Sequence, residues 1–448
     1  MSIQENLDAV AGLSIKDRNF VNHYLTFRQQ RSERVTDTDS AAVMGELLAL
    51  VSKKSLKPKA TLDKFITACR QRLQNKIADP DFEALLKEMY FDNDAQGLYK
   101  VSPEFLLFKT GTSNAGNTLH VARALGNMLL EVGLQSTMQS LRLNFLENEF
   151  RDEFQSLTQN YQPQIVTTSY LPFMAQVFSE DMVFLCQHPN YMMQNMRAFI
   201  GLYNFLYSSQ LALNIHNWKT EPDSKPLFFI LDTEQASAER THVRDALPSL
   251  TNRVSDLFPI LSALEYLNQA DSKTAHRYPL WMHYQYISSL TTDEQAKLLE
   301  KLAEFVRKFR DKRKQPLWNL PIDSAESAIN AICKTAQDIF SQPRSNQLTV
   351  NRKVLNAFEN EIAGHFIQNR KRGGRVLIMN QDYLLLLTNL VVGENNKILF
   401  QQLLTGFQNR GVWFDQQSEL ALIEFYERVG NLERMSDSGD AVYVRKTI

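Results

Sequence analysis

The chain has 448 residues, with 49 Lys+Arg against 50 Asp+Glu, a net charge of −1. No global basic field draws it onto nucleic acid or anionic lipid, so any such contact must be a local patch. Its 16 Gly and 14 Pro are near 7% of the chain, against an average of about 12%, so long uninterrupted helices are expected, and a β-sandwich, a propeller, collagen and a disordered linker are excluded.

Length predicts about three domains. We place an N-terminal helical region at 1–100, a central helical domain at 101–342 and a C-terminal winged-helix-like domain at 343–448. The start, MSIQENLDAVAG, has neither a basic nor an apolar leader region, so no signal peptide is expected. Apolar residues Phe20, Val21, Tyr24 and Phe27 predict a helix over Asp17–Glu33. Helices follow at Ser40–Ser52, Leu62–Ile77 and Phe82–Tyr90. The lysines of Lys53–Lys59 read as a solvated loop, with a phosphate contact as the second reading. Residues 101–116 are the least helical part of this region. Helices then run from Leu119 to Val132 and from Met138 to Asn160.

Ile165–Tyr170 reads as a short extended piece, and apolar helices follow at Leu171–Leu185 and Tyr191–Asn214. Ala198–Trp218 carries no formal charge, but its Asn204, Ser208, Ser209, Gln210, Asn214 and Asn217 make it too polar to face lipid. A core helix and no membrane contact are expected. Leu227–Leu231 reads as one buried strand, and helices fill 250–270 and 280–290. Thr291 and Glu294 form a capping box that opens a helix to Lys314, and another helix spans Ser324–Phe340.

The last hundred residues are the most informative. The pattern predicts a helix over Val350–Asn369, a strand at Val376–Met379 and helices at Gln381–Val392, Lys397–Gln408 and Asp415–Val429. Leu420, Leu422, Ile423, Tyr426 and Val429 are read as the inward face of the third helix. A hairpin follows, Leu432–Met435 and Ala441–Arg445 around a turn-rich tip. That order is a winged helix-turn-helix, whose third helix enters the major groove in DNA-binding versions. Here its outer positions hold Asp415, Gln416, Gln417, Glu419, Glu424 and Glu427, and carboxylates repel phosphate. A protein partner and double-stranded DNA both stay open for this domain.

Two basic groups are candidate nucleic-acid contacts. One is Arg307, Lys308, Arg310, Lys312, Arg313 and Lys314, at the end of an otherwise amphipathic helix. A solvated face that suits the helix dipole is the other reading. The second group is Arg370, Lys371, Arg372, Arg375, Arg434, Arg445 and Lys446.

Catalytic signatures are missing: no P-loop, GxGxxG, ExK, HxK or HExxH occurs. Lys109-Thr110-Gly111 matches one box of the penicillin-binding proteins but lacks a Ser-x-x-Lys before it. Thr110–Asn117 reads as a helix-capping loop, with an anion site as the alternative. Cys69, Cys186 and Cys333 are too sparse for a disulfide framework and suggest a cytoplasmic chain. No cofactor, metal or catalytic residue is assigned, and the chain leans away from being an enzyme. Distant residues can still meet, so an enzyme such as a nuclease with an unrecognised site stays as the alternative.

The tail Leu432–Arg445, LERMSDSGDAVYVR, resembles the DptG family, also called DndG, of bacterial DNA phosphorothioation-dependent restriction systems. Ser436–Ala441 carries most of the likeness. The resemblance implies a non-catalytic subunit of an anti-phage defence complex. It would act as scaffold or DNA-contacting component beside DptF- and DptH-like ATPase subunits, which supply ATP hydrolysis and cutting.

Overall fold

The structure is a computed structural model. It describes residues 2–16, 20–27, 38–74, 76, 80–111, 116–130, 141–161, 167–237, 239–269, 272, 275–316, 321–370, 373–434 and 441–448. Within them the chain is mainly α-helical.

The N-terminal part holds helices α1 (Ile3–Asp8), α2 (Ser40–Ser52), α3 (Leu62–Gln74), α4 (Pro80–Leu86), α5 (Asp92–Val101), α6 (Gly116–Gly126) and α7 (Phe145–Leu157). Strand β1 (Lys54–Leu56) pairs antiparallel with β2 (Thr158–Asn160), so the lysine-rich stretch is part strand. Residues 103–109 form a 3-10 helix packed on α2, where a side chain on Gly45 would meet the Leu106 carbonyl oxygen at 2.4 Å. Phe65, Phe105, Phe108 and Phe154 join α3, this turn and α7 through edge-on and tilted ring contacts.

Residues 20–27 are not helical, although their apolar spacing is. The Asn22 side chain accepts from the Tyr24 and Leu25 N–H groups, so the local backbone bonds to a side chain instead of to a helix. Tyr24, Leu25 and Phe27 are buried against the body. The two ends of the predicted Asp17–Glu33 helix lie outside the described residues.

Helices α8 (Pro172–Gln187) and α9 (Pro189–Asn214) form the centre. α9 is buried along Phe199–Leu211, and several of its polar residues find partners. Thr26 bonds Asn204 and lies 2.8 Å from the Ser208 hydroxyl. Gln210 accepts from the Lys225 N–H at 2.9 Å and donates to the Lys225 carbonyl at 2.8 Å, as a neighbouring strand would. No described helix is long and apolar enough to cross a membrane.

Strand β3 (Phe228–Leu231) precedes α10 (Thr241–Leu267), α11 (Leu280–Ser289), α12 (Thr292–Lys312), α13 (Ala325–Ser341) and α14 (Asn346–Ala357). Thr291 and Glu294 make the expected capping box for α12. The predicted Val350–Asn369 helix is shorter. It widens into one π-helical turn at Phe358–Ile362, and the chain then becomes strand β4 (Ile367–Asn369). A turn closed by Arg370 N–H to Gly374 carbonyl, 2.7 Å, sends the chain back as β5 (Arg375–Met379) antiparallel to β4.

The remaining elements are α15 (Gln381–Val392), β6 (Lys397–Leu399), α16 (Phe400–Asn409), β7 (Trp413–Phe414), α17 (Gln416–Arg428), β8 (Leu432–Arg434) and β9 (Val442–Arg445). β3 lies between β5 and β7, parallel to both, in a sheet of order β4–β5–β3–β7. A second sheet has the order β6–β9–β8. One apolar cluster runs from Leu7 to Val444, so the last segment is packed onto the body.

Candidate functional site

The C-terminal segment reads helix, strand, helix, strand, helix, strand, strand from α15 to β9, and the strand between its second and third helices, β7, pairs with β3 of the other sheet. β6 pairs antiparallel with β9, with Ile398 opposite Val444, and β8 pairs with β9 on the other side, with Leu432 opposite the same residue. Lys397–Leu399 is therefore a strand at the start of the predicted Lys397–Gln408 helix. The tip at 435–440, and with it all of Ser436–Ala441 but Ala441, lies outside the described residues.

α17 buries Ser418, Leu422, Phe425 and Tyr426. The Tyr426 and Thr388 hydroxyls lie 2.6 Å apart, which fixes the helix on α15. Leu420 is not inward as expected. It is 60% exposed, on the same outer face as Gln416, Gln417, Glu424 and Glu427. A large apolar side chain ringed by amides and carboxylates resembles a protein contact more than a phosphate contact.

The first turn of α17 is tied down. Asp415 caps the helix by accepting from the Ser418 N–H at 3.0 Å. The same carboxylate takes two bonds from Arg240, which also donates to Glu234 Oε1 at 2.9 Å and to the Ser418 hydroxyl at 2.6 Å. Burial opposes charge on Asp415, but Arg240 and the Ser418 N–H outweigh it and hold the carboxyl below its usual range. Asp415 is thus a structural clamp to the body and not part of a free outer face. Ser418 is fully buried. The end of the helix that would enter a DNA groove is occupied by the protein itself.

The predicted basic residues divide sharply. Arg375 pairs with Glu359 at 3.0 Å, and Arg434 donates Nε to Glu427 at 3.0 Å. Arg445 donates Nε to Glu433 at 2.9 Å, and Lys397 shares that carboxylate. Lys446 bonds the Gly393 carbonyl, and Arg370 bonds the Asp232 carbonyl. Lys371 and Arg372 lie outside the described residues.

On α12, Arg310 does not face outward. It is 7% exposed and donates to the Pro316 carbonyl and, at 3.0 Å, to the Thr335 hydroxyl. Arg313 is half-buried and bonds the Lys16 carbonyl. Lys308 pairs with Glu304 at 2.5 Å. Arg307, Lys312 and Lys314 are exposed and form no ion pair among the described residues. The outward stripe is thus three cations, with Lys308 beside them.

All three cysteines are buried thiols, and burial pushes Cys186 and Cys333 up to about 12. Among the described residues, no three His, Cys, Asp or Glu side chains converge on one point.

No family model and no curated protein matches the chain.

Two features escaped sequence reasoning. One is the Arg240–Asp415 clamp, since Asp415 was read as an outer carboxylate of the third helix. The other is a buried ion pair in which Arg410 grips Asp181 through Nε, 2.9 Å, and Nη2. Tyr203 donates to the same carboxylate, and Arg410 Nη1 donates to the Gly406 carbonyl at 2.9 Å. Two adjacent carboxylates, Glu180 and Asp181, interrupt the apolar residues of Pro172–Cys186, and the signal was that one of them, if turned inward, needs a partner. The pair anchors α16 on α8. Beside it lies an open groove of about 750 Å³ between α8 and the α15–β6–α16 segment.

Proposed function

We propose that the chain is a non-catalytic subunit of a phosphorothioation-dependent DNA restriction complex. In this reading its C-terminal segment is a winged helix turned toward a protein partner. The element order from α15 to β9 and the strand order β6–β9–β8 support the winged-helix reading. The DptG-like tail supports the choice of complex and the partners, DptF- and DptH-like ATPase subunits.

The observation that carries the protein-contact reading is the third helix. Its first turn is held by Arg240, and its free face is Leu420 among Gln416, Gln417, Glu424 and Glu427. Arg375, Arg434 and Arg445 nearby are matched by carboxylates, so they offer phosphate a partner only by giving one up. Arg307 and Lys312 on α12, with Lys314 just past its end, favour a weak, sequence-independent DNA contact as the second reading.

The test is co-purification of the full chain with the two ATPase subunits, beside a salt titration of duplex binding by the chain alone. The expected result is a complex that Leu420→Arg breaks, with feeble DNA affinity lost on Lys312→Glu/Lys314→Glu. A chain that captures neither subunit and binds duplex with a steep salt slope set by α17 overturns the proposal.

A further inference from the structure

We infer that the free edge of β6 and the groove beside it form a docking site for an extended peptide segment carrying basic side chains. It deepens the reading above and rests on it only in taking the partner to be a protein.

β6 ends the β6–β9–β8 sheet, so one side of its backbone is unpaired by any strand among the described residues. The direction of each group follows from two bonds. The Leu399 N–H turns away from β9 and donates to the Gln402 side chain at 3.1 Å. Opposite Lys397, the Arg445 N–H turns away from β6 and donates to the Asn431 carbonyl at 2.9 Å. Alternate residues of a strand point their polar groups the same way. Ile398 therefore bonds β9, and Lys397 presents its N–H and carbonyl at the open edge. That pair of groups is what an added strand needs.

A lysine on an edge strand usually blocks such pairing. Here the Lys397 ammonium is drawn onto the sheet face, 2.7 Å from Glu433 and 5.0 Å from the Tyr443 ring. The edge stays open.

The groove lies along this edge, because Gln402, which caps Leu399 from the outside, lines it together with Lys397 and Ile398. Its far wall is α8, with Val183 and Phe184 as apolar contacts. Of the charged side chains among its described lining residues, Arg410 and Lys397 are paired in the core and on the sheet, while Glu180 and Glu394 are exposed, Glu180 accepting from the Gln176 amide at 2.6 Å and Glu394 lying 2.9 Å from the His188 ring. An extended segment alternating apolar and Lys or Arg residues fits this composition: main chain on Lys397, apolar side chains on Val183 and Phe184, cations at the two glutamates.

The probe is a pool of random nonapeptides displayed on phage, selected on the full-length chain. Enriched sequences are expected to alternate apolar and basic residues. In a synthetic copy, N-methylation of the residue facing Lys397 should weaken binding about tenfold, the loss of one hydrogen bond. Lys397→Pro should do the same while sparing the Ile398 bonds to β9. Glu180→Lys/Glu394→Lys should remove the preference for basic residues. Leu420→Arg should bind the peptides as the unaltered chain does, so a failure of the α17 interface and a failure of this site read out separately. No enriched sequence, or enriched peptides indifferent to backbone methylation, overturns the inference; the second outcome indicates a helical or small-molecule occupant.

Discussion

Arg240 Nε donates to Asp415 Oδ2 at 2.7 Å, and this bond joins the N-cap residues of two helices, α10 and α17. The first belongs to the body and the second to the C-terminal segment, so the pair fixes their relative position. Asp415→Ala removes a helix cap and one of Arg240's two carboxylate partners, while Glu234 remains. The expected cost is about 2 kcal/mol, read as a lower urea midpoint with unchanged slope. The linkage has a defined sign. A carboxyl held below its usual range contributes stability above that range and loses it as pH falls through its folded value. Asp415→Asn should therefore flatten the acid limb of the stability curve; an unaltered limb counts against the clamp.

Arg410 and Asp181 are a costlier pair to break. Both are buried, 5% and 0% exposed, and each satisfies the other. Arg410→Met leaves an uncompensated carboxylate beside Tyr203, which should cost about 3–5 kcal/mol. Asp181→Leu/Arg410→Met removes both charges and should recover much of the loss. A double variant as unstable as the single one would show that packing, not charge, is what the arginine supplies.

What was legible in the sequence follows from what local patterns encode. Helices with strong caps, such as the one opened by Thr291, were read to within a few residues because cap and periodicity agree. β4 and β6 were absorbed into predicted helices. Each is three residues long, continues the apolar pattern of its neighbour and becomes a strand only because another strand reaches it. Residues 20–27 failed for the opposite reason. Their spacing is helical, but Asn22 bonds the backbone and Tyr24 meets Tyr170 edge-on at 5.3 Å. Candidate basic residues were named correctly as charges and could not be named as free. Arg310 lies one position after core residue Phe309, and only the approach of α13 and Pro316 decides that it turns inward.

Gly411 and Gly430 separate backbone strain from crowding. Both have left-handed backbones, φ +81° and +77°. A Cβ at Gly430 meets open space, whereas one at Gly411 falls 2.4 Å from the Gln210 amide nitrogen. Gly430→Ala should cost about 1 kcal/mol, from the left-handed conformation alone. Gly411→Ala should cost about 2 kcal/mol more, because it displaces the Gln210 side chain from Lys225. Thermal melts of the two variants compare them directly, and equal losses would remove Gln210 from the account.

His283 is fully buried in α11. Its Nε2 lies 3.2 Å from Asn268 Oδ1, which also accepts the Tyr278 N–H, so Nε2 carries the proton. Nδ1 has no partner among the described residues. Burial lowers the ring's pKa from 6.5 to about 3. As pH falls from 6.5, the unfolded chain takes up a proton that the folded chain refuses, so this residue makes folding weaker toward acid until about pH 3. His283→Gln keeps a donor toward Asn268 and does not titrate. Its stability should therefore fall less steeply than the unaltered chain's between about pH 4 and 6. Equal slopes in urea titrations at those pH values would mean that the ring is reached by water and titrates normally.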